Sequence, residues 1–167
     1  MVYYTKSFRD SFVSEAEMNA YIDLAFLETN IGYQNSNISL TLTVHCKELI
    51  DVRDYEILTA NEALVFFRTD ASRKNADTAS LWTETFDFYA SSACGVAYVD
   101  VSNWCDWAYS VIEKYCAMDG YGFAHELGHN FGSWHNIELY DSTDSHVPIA
   151  HGLRIAEDRI VARISRI

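Results

Sequence analysis

Polar and apolar positions along this chain follow two periods, one helical and one extended. Ser14, followed by Glu15 and Glu17, has the form of a helix start, with a capping hydroxyl and an acidic first turn. Met18, Tyr21, Ile22, Ala25 and Phe26 then recur at helical spacing and predict an amphipathic helix reaching about Asn30, its stripe facing a core. Asn35 to Asn37 reads as a turn. Ile38, Leu40, Leu42 and Val44 alternate with Ser39, Thr41 and Thr43, which predicts a strand closed by His45. Glu56 to Asp70 predicts a second helix, and Ser72 to Asp77 a polar loop. Short strands are predicted over Thr78 to Thr83, Gly95 to Val99 and Tyr109 to Ile112. Tyr121 to Phe131 is the last predicted helix, with Phe123, Ala124, Leu127 and Phe131 on its buried side. Helices alternating with strands predict a layered α/β domain whose sheet is mostly parallel in its first part. No repeat, low-complexity segment or inter-domain linker interrupts it, so residues 1–167 are read as one domain.

That last helix carries His125-Glu126-Leu127-Gly128-His129-Asn130-Phe131-Gly132-Ser133-Trp134-His135, the pattern H-E-x-x-H-x-x-G-x-x-H. Four-residue spacing puts the rings of His125 and His129 on one helix face, one turn apart. Zinc accepts nitrogen ligands at about 2.0–2.1 Å in tetrahedral geometry, and this pair supplies two. Gly132 tolerates positive φ, so the chain can leave the helix there and return His135 as a third ligand. Three protein ligands keep a fourth position open for water, as catalytic zinc sites do. Glu126 neighbours the first ligand and can act on that water as a general base.

Composition narrows the picture. A content of 49% hydrophobic and 14% aromatic residues in 167 positions belongs to a globular chain with a core. A formal net charge of −12 argues against nucleic acid and anionic membranes as partners and favours solubility. The surplus carboxylates leave calcium possible but unsupported, with Asp141 and Asp144 as a candidate loop. His146 and His151 are read as surface residues rather than ligands, and Trp104 and Trp107 as packing residues. No apolar run spans a membrane, and the opening residues lack the form of a signal peptide, which fits a mature domain or a fragment. Four cysteines (Cys46, Cys94, Cys105 and Cys116) suit a secreted, disulfide-bonded protein. Cys105 is expected to pair with Cys94 or Cys116, buried free thiols being the alternative. Asn37-Ile38-Ser39 is a glycosylation sequon.

The extended zinc motif resembles that of the metzincin metalloproteases. Within them, His125 to Gly132 is similar to the adamalysin or reprolysin branch, which includes ADAM proteases and bacterial relatives. Gly95 to Val99 resembles the branch's antiparallel edge strand. Ser110-Val111-Ile112 with Cys116 resembles its last strand before the zinc helix, and Asn75-Ala76-Asp77 with Leu81 its central strand. The resemblance covers Val2 to His135. It implies a zincin-like twisted sheet of about five strands with one antiparallel edge, two long helices, one zinc ion and a secreted, monomeric enzyme. It also implies that an extended peptide lies along Gly95, Val96, Ala97 and Tyr98 by strand addition. Two positions depart from the pattern. Asn136 stands where the branch has Asp, and no Met follows His135 to form the turn beneath the metal, Met118 lying upstream. The resemblance therefore implies an upper subdomain over 1–132 and a partial, truncated lower subdomain over 133–167. The expected function is zinc-dependent endopeptidase. The alternative is an impaired fragment that binds zinc or peptide without cleaving.

Overall fold

The computed structural model describes residues 1–87, 93–99, 105–133, 135, 152–155 and 159–162. Its main sheet is organised around a strand that the sequence pattern does not announce. β1 (Val2–Tyr4) is buried along its length and pairs in parallel with both β2 (Lys47–Leu49) and β3 (Ala79–Thr83). β3 pairs in parallel with β5 (Tyr109–Glu113), and β4 (Gly95–Ala97) adds antiparallel to β5 as the terminal strand. The order is β2-β1-β3-β5-β4. The fold is thus the expected mixed α/β arrangement, with a five-stranded, mostly parallel sheet and one antiparallel edge. Gly152–Ile155 (β6) and Arg159–Ala162 (β7) form a separate antiparallel pair.

Both faces of the sheet are covered, which is why its inner strands are apolar throughout rather than alternating. On one face, α3 (Ala60–Asp70) packs Leu64 and Phe67 against Tyr3, Leu81, Tyr109 and Val111. On the other, α2 (Glu15–Asn35) and α5 (Gly122–Asn130) bring Met18, Ile22, Phe123 and Leu127 onto Val2, Trp82 and Ile112. Neighbouring residues Leu81 and Trp82 therefore serve opposite cores, as period-two geometry requires.

Local chemistry sets the helix limits. Ser14 accepts a hydrogen bond from the Glu17 backbone to start α2, as expected. The helix runs on to Asn35 rather than stopping near Asn30, since Tyr33 is buried and its hydroxyl donates to the Ala124 carbonyl at 3.0 Å. A capping box between Thr59 and Glu62 starts α3, later than the expected Glu56. Glu56 instead accepts hydrogen bonds from Ser7 and Thr83 in the preceding turn. A short helix, α1 (Lys6–Asp10), was not anticipated.

The strand expected over Ile38 to Val44 does not form. Its apolar residues are half-buried and its polar ones exposed, so the alternation is real, but the segment joins no sheet. Asn30 takes both backbone groups of Leu42, accepting from its N–H at 2.7 Å and donating to its carbonyl at 3.0 Å. Pairing with β1 begins only at Lys47, beyond His45, which is exposed.

Candidate metal and peptidase site

The site is built where β5 ends and the chain turns into α5. α4 (Lys114–Met118) and one tight turn separate the two. Gly120 and Tyr121 both take left-handed conformations there, each at φ 62°. A Cβ on Gly122 would stand 2.1 Å from the Cys116 carbonyl oxygen, so no side chain fits at the first residue of α5. Cys116 is itself bonded to Cys94, immediately before β4. This corrects the expected pairing, since Cys94 and Cys116 take each other rather than Cys105. Antiparallel pairing of β4 with β5 carries Cys94 across to the strand's far end, where its carbonyl accepts from the Glu113 N–H at 2.8 Å. Cys46 is an exposed free thiol.

α5 ends as its sequence predicts. Gly132 adopts φ 90°, its N–H donates to the His129 carbonyl at 2.9 Å, and the Ser133 N–H donates to Gly128 at 2.9 Å. These two bonds form a Schellman motif, which reverses the chain after the helix. His135 is thereby returned to the helix face that carries His125 and His129. The Nε2 atoms lie 3.0 Å apart for His125 and His129, 3.1 Å for His129 and His135, and 3.2 Å for His125 and His135. Four-coordinate zinc with nitrogens at about 2.0–2.1 Å needs them roughly 3.3 Å apart, so the triangle fits such an ion closely. Among the described residues this is the group of metal-ligating side chains the structure brings together.

The protonation chemistry fits as well. His129 Nδ1 lies 2.7 Å from the Ser133 carbonyl oxygen. A carbonyl only accepts, so Nδ1 carries the proton and Nε2 presents its lone pair to the other rings. Burial, followed by its two histidine neighbours, pushes the His125 pKa down to about 4. Burial also lowers His129, against the opposing effect of the Ser133 carbonyl. Neutral imidazoles are the form that binds metal.

Glu126 is buried at 6% exposure, and burial raises its pKa to about 8. Its Oε2 has no hydrogen-bond partner among the described residues. Gly95, Val96, Ala97 and Tyr98, the expected substrate residues, lie half-buried on and just after the terminal strand. Asn130 joins that strand to α5. Its Nδ2 donates to the carbonyls of Tyr98 at 2.8 Å and Tyr109 at 3.1 Å. Asn130 and Ser133 stand at the variable positions of the histidine pattern, although an amide at the buried last turn of a helix is a signal that it holds another segment's backbone. Trp107 packs edge-on against Tyr98 at 4.9 Å between ring centroids, with the Arg68 guanidinium 3.6 Å from its ring centre. Trp104, Asn136, Asp141, Asp144, His146 and His151 lie outside the described residues.

A mixed α/β sheet with a three-histidine cluster and a carboxylate on the helix beside its edge strand defines a zincin-like architecture. The chain belongs to metallo-peptidase family M12, whose model matches residues 1–152. It is 29% identical over 143 residues to a peptidyl-Asp metalloendopeptidase of Stenotrophomonas maltophilia strain K279a, covering 82% of this chain and 33% of that protein. Its identity to the corresponding protein of strain R551-3 is 30% over 148 residues, covering 82% and 33%. A peptidyl-Asp metalloendopeptidase of Xanthomonas campestris pv. campestris is 28% identical over 141 residues, covering 81% and 32%. The chain thus spans about a third of the length of these relatives. A chain in a solved structure described as a chaperone-substrate complex shares the fold, with a TM-score of 0.69 at 19% identity over 93% of this chain and 26% of that one. No helix among the described residues is long and apolar enough to cross a membrane.

Proposed function

We propose that residues 1–167 form the catalytic domain of a zinc-dependent endopeptidase, 1–132 being its upper subdomain and 133–167 part of its lower one. The observation that carries this reading is the convergence of three Nε2 atoms within 3.0–3.2 Å of one another on the helix that carries Glu126. His125, His129 and His135 would hold the ion. Zinc, when bound, supplies a Lewis acid that lowers the pKa of a water and polarises the peptide carbonyl.

The chain's own residues supply the rest. An extended peptide adds to the outer rim of β4 along Gly95 to Tyr98, where the backbone groups of Gly95 and Ala97 point away from β5 and fix its register, those of Tyr98 being taken by Tyr109 and Asn130. Glu126 takes a proton from the attacking water at Oε2, the oxygen without a partner among the described residues, and passes it to the leaving amine. Ser133 holds the His129 ring in the tautomer that faces the ion. The relatives' name makes peptides with Asp at the cleaved bond the first substrates to assay. The Cys94–Cys116 bridge supports work in an oxidising, extracellular setting.

The test is zinc content measured beside cleavage of a denatured protein. The wild-type chain is expected to bind one zinc and cleave, and Glu126→Gln to keep zinc and lose cleavage. Near-normal turnover by that variant would remove Glu126 from its role. Zinc binding without cleavage by the wild type would favour the non-cleaving reading.

A further inference from the structure

β4 presents unequal faces. Val96 and Tyr98 pack on the α3 side of the sheet. Strand alternation gives Gly95 and Ala97, the two smallest residues, to the side that carries α5. At Gly95 the fit is closed. A Cβ built there would lie 2.7 Å from Glu126 Oε1, 3.0 Å from Glu126 Cγ and 2.6 Å from Ile112 Cδ1. Ile112 is its partner in the β4–β5 ladder and is buried. Gly95 has no left-handed backbone to explain it, since it is absent from the positive-φ glycines. The absence of a side chain therefore answers to what lies over it.

We propose that Gly95 is a positioning residue for Glu126, its missing side chain being what lets the carboxylate lie flat against the strand that binds substrate. The proposal rests on the peptidase reading above. Its consequence is that substrate register and base position are set by one residue. The strand's outer rim holds the peptide, while its inner face at the same position holds the acid. Any side chain at 95 drives Glu126 away from the strand. The buried Ile112 closes the other side of that space, so the displacement falls on the Glu126 side chain and on the Ile112 methyl.

Gly95→Ala is the test, measured with Ile112→Val and the double variant. Ile112→Val removes the Cδ1 atom and frees that side of the new methyl without touching Glu126. The expected result for Gly95→Ala is a kcat lower by roughly 100-fold, as a misplacement of about 1 Å produces, with KM and zinc content unchanged. Adding Ile112→Val should recover melting temperature but not kcat. A kcat for Gly95→Ala within about twofold of wild type overturns the proposal, and so does a full recovery of kcat on adding Ile112→Val, which would make the effect one of packing. The contact is also read without activity. In a double-mutant cycle, the loss of melting temperature caused by Gly95→Ala should shrink in a Glu126→Ala background, where Cγ and Oε1 are gone. No coupling in that cycle overturns the proposal. A wild-type chain that fails to cleave removes the peptidase reading, while the cycle still decides whether Gly95 makes room for Glu126.

Discussion

Asn130 Nδ2 donates to the carbonyl of Tyr98 at 2.8 Å, fastening the last turn of α5 to the end of the edge strand. The same nitrogen reaches the Tyr109 carbonyl at 3.1 Å, and Asn130 is buried at 1% exposure. Its Oδ1 has no partner among the described residues, so the amide's contribution comes through its two N–H bonds. Asn130→Ala takes the donor from the Tyr98 carbonyl in a place water reaches poorly, while the Tyr109 carbonyl keeps the Tyr98 N–H at 3.2 Å. The expected cost is about 1–3 kcal/mol, read as a lower midpoint in urea unfolding with an unchanged slope. Asn130→Asp should cost more, since it removes the donor and turns a carboxylate towards two carbonyl oxygens.

On the proposed function, an ion held by the three-histidine cluster makes stability depend on metal. An ion that binds only the folded chain stabilises it by about 2.7 kcal/mol when its free concentration is 100 times its dissociation constant. Chelation is therefore expected to lower the melting temperature, and added zinc to restore it. His135 is exposed, so His135→Ala removes the proposed third ligand without opening the core. That variant should melt as the metal-free wild type does and respond only weakly to zinc. A full zinc response in scanning calorimetry would show that the third ring is no ligand.

How far the sequence discloses these features depends on how local they are. α5, its two histidines and the third beyond it are legible because four-residue spacing, a terminating glycine and the return to His135 lie within eleven consecutive positions. α2 and α3 are legible from their stripes, though the burial of Tyr33 carries α2 past Asn30, and Glu56, engaged with Ser7 and Thr83, lies before the start of α3. β1 is not legible, since three residues buried on both faces carry no alternation. Ile38 to Val44 shows the converse, an alternating segment with no ladder because Asn30 occupies Leu42. The bridge from Cys94 to Cys116 and the contact of Gly95 with Glu126 depend on β4 turning antiparallel against β5. Composition and spacing do not contain that fact; it is legible only through the resemblance of Gly95 to Val99 to an antiparallel edge strand.

Acid should unfold the chain partly through Asp70. The Arg53 guanidinium, at 2.9 Å, and the Tyr55 hydroxyl, at 2.9 Å, hold the Asp70 carboxyl below its ordinary 3.8, against a smaller opposing effect of burial. A carboxylate with a depressed folded pKa contributes stability that is fully present above its unfolded value. That contribution is lost as pH falls below 3.8 through the folded value. Asp70→Asn is expected to be less stable at neutral pH by about 2 kcal/mol, the worth of hydrogen bonds to a charged group. Its urea midpoint should then fall less steeply than that of wild type as the pH drops below about 4. The comparison uses metal-free protein, so that proton competition at the histidines does not enter. Parallel acid profiles for the two proteins would exclude Asp70 as a source of the acid sensitivity.

The bridge between Cys94 and Cys116 encloses the edge strand and β5 in a loop with a sequence separation of 22. Closing a loop of this length restricts the unfolded chain by about 3 kcal/mol in the chain-entropy account. The effect is also local. Cys94 precedes Gly95, and the Cys116 carbonyl abuts Gly122, so the bridge fixes the start of β4 against the start of α5. Replacing both cysteines by alanine is expected to lower stability by about 3 kcal/mol. Because the bridge lies at one end of β4 and Asn130 at the other, combining that variant with Asn130→Ala should release the strand at both ends. The combined loss of peptide cleavage should then exceed the product of the separate losses, since either tie alone still holds the strand in register. Peptide mapping without reduction checks the pairing itself. It should yield one linked peptide containing Cys94 and Cys116, and a dominant product joining Cys105 to either of them would contradict the structure.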